Sequence, residues 1–118
     1  MNTRNHLFAA IATALTLLLA VPGAATADVT EAQIAAAKTP ADHEAIAKAY
    51  EADAASAEAK AREHEAMAKT YRSAGGQKAY TNSMVRHCER LVKDYKEAAA
   101  DYRALAAEHR GMAKDTAK

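Results

Sequence analysis

The sequence predicts an all-α protein, an antiparallel helical hairpin of two long duplicated helices preceded by a short N-terminal helix. Three observations carry that reading. The stretch from Ala41 to Arg72 contains neither Pro nor Gly and is dense in Ala, Glu and Lys, the residues that fit a helix at least cost. A Gly75-Gly76 pair interrupts the helical pattern in mid-chain. A shift of 45 residues lays Asp42–Lys69 on His87–Lys114 with 12 identities in 28 positions. Five of these are Ala, weak evidence in so Ala-rich a chain. The other seven include Glu44/Glu89, Lys48/Lys93, Tyr50/Tyr95, Glu63/Glu108, His64/His109 and Met67/Met112, and they point to an internal duplication.

The chain opens with a mildly basic stretch, an unbroken apolar run from Leu7 to Val21, and then Pro22-Gly23 and small residues. This is the pattern of a secretory signal peptide over residues 1–27, with cleavage expected after Ala25-Thr26-Ala27 and a periplasmic or secreted destination. The apolar run falls short of the ~20 residues that span a bilayer, so no stable membrane insertion is expected after cleavage. The remaining 91 residues form a single small domain, near the size at which one core is only marginally stabilising. They carry 15 basic and 15 acidic residues. A neutral chain is a poor match to nucleic acid, whose partners are basic.

Within the domain at 28–118, residues 30–38 read as a short helix ended by Thr39-Pro40. A long helix follows over 40–72, opened by Thr39 as cap, Pro40 at the first helical position and Asp42 at the positive end of the helix dipole. A loop is expected over 73–82. Thr81-Asn82-Ser83 reads as a capping cluster for the second long helix, over 83–114.

In the first long helix His43, Ala47, Tyr50, Ala54, Ala57, Ala61, His64, Ala68 and Tyr71 recur at alternating spacings of four and three. The equivalent line in the second is Cys88, Val92, Tyr95, Ala99, Tyr102, Ala106, His109 and Ala113. Both are heptad seams, and their Ala content allows two helices to approach closely. The second helix also carries Leu91, Ala98, Leu105 and Met112 seven apart beside its seam, an apolar stripe too broad for a simple pair. A homodimer forming a four-helix bundle, or the short helix laid across the hairpin, would cover it.

The chemistry-bearing residues lie in or beside these seams. His64 and Met67, Met84 and His87, and His109 and Met112 are each three apart, so each methionine of the domain shares a helix face with a histidine. Folding the helices back on each other about Gly75-Gly76 opposes residues whose numbers sum to about 152. His43 then meets His109 with Met112 beside it. Cys88 meets His64, with Met67 and His87 adjacent. The expected donor sets are therefore His43, His109 and Met112 at one end, and His64, Met67, His87 and Cys88 at the other. Thioether and thiolate donors select Cu(I), and imidazole suits copper and zinc, so the expectation is a soft-metal site, copper before zinc. The competing reading needs no metal: a seam histidine bonded to Tyr or Glu, and methionine filling gaps in a self-associating, chaperone-like bundle. No CxxCH haem motif is present, and neither seam offers the pocket and oxyanion site an enzyme needs.

Overall fold

The computed structural model describes residues 28–74 and 78–118. The expected signal peptide and the Gly75-Gly76 turn lie outside the described residues. The observed order is α1 (Glu31–Ala36), α2 (Pro40–Ser73) and α3 (Lys78–Thr116), with α2 and α3 packed along each other as a hairpin.

Each early boundary has a local cause. Thr30 caps α1: its hydroxyl accepts from the Gln33 amide, and its own amide donates to Gln33 Oε1 at 2.8 Å. Thr39, pushed to extended backbone by the proline after it, caps α2. Its hydroxyl accepts from the Asp42 amide, while the Asp42 carboxylate accepts from the amides of Lys38 and Thr39 at 3.0 and 2.9 Å. Those backbone donors hold the Asp42 carboxyl below its ordinary range.

Two boundaries differ from the sequence reading. The short helix is trimmed to six residues, and α3 begins at Lys78, running through Thr81-Asn82-Ser83 without a break. Tertiary packing accounts for the second difference. Thr81 and Ser83 are half-buried and Val85 is buried, so the seam extends upstream of Cys88 and overrides the turn preference of the three polar residues.

The seam itself is as expected. Ala47, Ala54, Ala57, Ala61 and Ala68 of α2 face Val85, Cys88, Ala99, Ala106 and His109 of α3, and all are buried. At its centre Ala54, Ala57 and Ala99 form a cluster flanked by Tyr95, Ala98 and Tyr102. Among the described residues no large side chain is fully buried, so close backbone approach does the work that bulky side chains do in a thicker core.

The two long edges of the hairpin differ in character. One is a ladder of ion pairs seven residues apart: Glu51 with Arg110, Glu58 with Arg103, Glu65 with Lys96, and, with signs reversed, Arg72 with Glu89. The reversed rung fixes the register. A slip of one heptad in one direction sets Glu65 against Glu89, and in the other sets Arg72 against Lys96. Arg72→Glu therefore lowers the melting temperature at low ionic strength, and the loss shrinks as salt is added; a loss indifferent to salt would contradict this role for the rung. The opposite edge is largely apolar, with Met67, Met84, Leu91, Leu105 and Met112 all exposed.

Candidate functional site

At the open end of the hairpin, two heptad positions bring His43 of α2 against His109 of α3. Their Nδ1 atoms lie 3.1 Å apart and their ring centroids 5.4 Å apart. His109 is 7% exposed and His43 half-buried. Two imidazoles can share such a contact only when one Nδ1 donates and the other accepts. Burial, and secondarily a charge on His43, hold His109 below its ordinary value of 6.5. Tyr50 closes the inner side, its ring 5.8 Å from His109 and stacked on Tyr102 at 6.2 Å. Arg110 flanks the pair, reaching Glu51 and also Glu44 at 3.6 Å.

Two nitrogens 3.1 Å apart, each ~2.0–2.1 Å from a shared ion, subtend about 100° at it, inside the range of tetrahedral coordination. Met112, one turn beyond His109, is 45% exposed on the apolar edge, off the seam like Met67.

Toward the turn, the duplication sets up a counterpart. The 45-residue shift carries His43 to Cys88, His64 to His109 and Tyr50 to Tyr95, and the ring contacts obey it: Tyr95 stacks on His64 at 5.7 Å, as Tyr50 lies against His109. His64 Nδ1 is buried with no hydrogen-bond partner, and Cys88 is a free, buried thiol in the same seam. The other two residues assigned to this end from sequence sit off the seam. Met67 is exposed on the apolar edge, and exposed His87 accepts at Nδ1 from the Arg90 guanidinium at 2.8 Å.

Among the described residues, no group of three or more His, Cys, Asp and Glu side chains is arranged to hold a metal ion. Neither histidine position completes a site from those residue types among the described residues. The Arg110 fork beside His109 was not anticipated, although Glu51, Glu58 and Glu65 seven apart are visible in the sequence. No family model, characterised protein or solved structure matches the chain.

Proposed function

We propose that this is a small exported, non-catalytic protein that binds and buffers a soft metal ion, Cu(I) ahead of Zn(II), at the open end of the hairpin. The observation supporting this is the convergence of His43 Nδ1 and His109 Nδ1 at 3.1 Å. His43 and His109 are the primary donors, Met112 the third, and the thioether biases the set toward Cu(I). His64 and Cys88 form a second, softer donor pair, supported by the unpartnered His64 Nδ1. His87, tied to Arg90, and Met67, on the outer edge, are peripheral.

Titrating the mature chain with Cu(I) and Zn(II) against a competing chelator tests the proposal. Binding should raise the melting temperature by mass action. His43→Ala should weaken the open-end site more than about tenfold, as losing a direct donor must cost at least as much as losing an outer-shell one. Cys88→Ser should remove the thiolate charge-transfer band and leave the open end intact, and His87→Ala should change neither. Affinity no tighter than micromolar with unchanged melting overturns the reading.

A second reading rests on a separate observation, the exposed edge of Met67, Met84, Leu91, Leu105 and Met112. Such a stripe suits a homodimer or an interaction surface without metal. A chain that sediments as a monomer and leaves an aggregating client unprotected excludes it. Among the described residues no helix is long and apolar enough to cross a membrane.

A further inference from the structure

We propose that the α-ammonium group released at Asp28 by cleavage after Ala27 pairs with the carboxylate of Asp53 and fastens the N-terminal arm to α2. The inference rests on the cleavage point read from the sequence and is independent of metal binding.

Asp53 is the unexplained acid of the fold. It is only 9% exposed, and no hydrogen bond or ion pair engages its carboxylate among the described residues. Its carboxylate oxygens keep contact with solvent, yet partial burial still disfavours the charge, a cost that a nearby counter-charge would offset. Asp53 lines a cavity of about 190 Å³ together with Asp28, Ser56, Lys60, Tyr95 and Tyr102. The cation of α2 that lines the same cavity, Lys60, is paired with Glu63 at 3.2 Å. From α3 the facing groups are the two tyrosines, which bring no positive charge. From the arm comes Asp28, whose carboxylate adds to the effect of burial in holding Asp53 above its ordinary range.

Cleavage changes the charge at this point. In the precursor the Asp28 nitrogen is a neutral amide; in the mature chain it is an ammonium with three donors, placed where two carboxylates meet. Pairing would add a fastening that the arm otherwise lacks. Val29, Gln33, Ala36 and Ala37 line a groove with Ile46 and Ala49, but α1 has only six residues and none is buried. Its own packing is slight, while Ile46 beneath it is 5% exposed. An ionic tether at Asp28 holds the arm across Ile46, so processing completes the fold.

The test compares the mature chain with the same chain acetylated at its N-terminus, each with Asp53 and with Asp53→Asn. At pH 6.5, acetylation should lower the melting temperature by at least about 4 °C and speed amide exchange in residues 29–37. With Asp53→Asn, acetylation should have no effect. The native α-amino pKa, followed by NMR, should lie above its ordinary ~7.7–8.0. An exported protein that begins elsewhere than Asp28, an acetylation shift equal in both backgrounds or absent, or an unshifted amine overturns the proposal. The amine titration decides the matter even if Asp53→Asn does not fold.

Discussion

Ala99→Leu destabilises the hairpin by about 1–3 kcal/mol, and Ala54→Leu does the same, while Ala100→Leu and Ala55→Leu leave stability nearly unchanged. Ala54 and Ala99 are each 1% exposed at the centre of the seam; Ala55 and Ala100 follow them in sequence but face solvent. Leucine is a better helix former than most residues and more apolar than alanine, so local propensity and hydrophobicity alone would leave all four changes neutral or favourable. The penalty comes from space. Extra methylenes between two closely apposed backbones must force the helices apart, which loosens the flanking Tyr95 and Tyr102 and lengthens every ion-pair rung on the charged edge. For a domain of this size such a loss is a large fraction of the total stability. Denaturant unfolding of the four variants checks it. Equal midpoints for Ala99→Leu and Ala100→Leu would show that the helices do not pack through their alanines.

Why the seam was legible and other features were not follows from how each is encoded. Heptad spacing writes the inward face directly into the sequence, and duplication repeats it, so the pairing of His43 with His109 follows from periodicity once the chain turns back. The start of α3 was less legible because Thr81, Asn82 and Ser83 carry a local preference for turns, whereas the contacts that override it are made across the hairpin. The outward positions of Met67 and His87 escaped for a related reason. Spacing of three places two residues on the same side of a helix but does not bring both into a seam only one or two residues wide. His87 is three residues from Arg90, and that local bond draws it outward. Asp53 is harder still to read. It falls in line with Ile46 on the flank of α2, and only the arm folding over both shows it to be buried.

Stability should fall as pH drops below about 6.5, and metal affinity should fall with it, because both depend on a neutral His109. The direction follows from proton counting. The folded-state pKa of His109 lies below its ordinary value of 6.5, first through burial and then through His43. Between the two values the unfolded chain binds more protons than the folded one, so stability rises with pH there. The contribution is fully present above 6.5 and is lost as pH falls toward the depressed folded value. The carboxylates act elsewhere: Glu51, Glu58 and Glu65, held low by Arg110, Arg103 and Lys96, give up their contribution only below their ordinary 4.5. Across the interval from pH 6.5 down to 5, Asp53, held above its ordinary range chiefly by burial, acts in the opposite direction, so the difference between the native chain and His109→Gln isolates His109. Melting temperatures across that interval should fall more for the native chain than for His109→Gln. Metal binding should weaken about tenfold per pH unit for each proton the ion displaces, since only a neutral imidazole is a ligand. A chain whose melting is flat from pH 7 to 5, with metal affinity equally flat, would show that the two imidazoles neither meet nor bind.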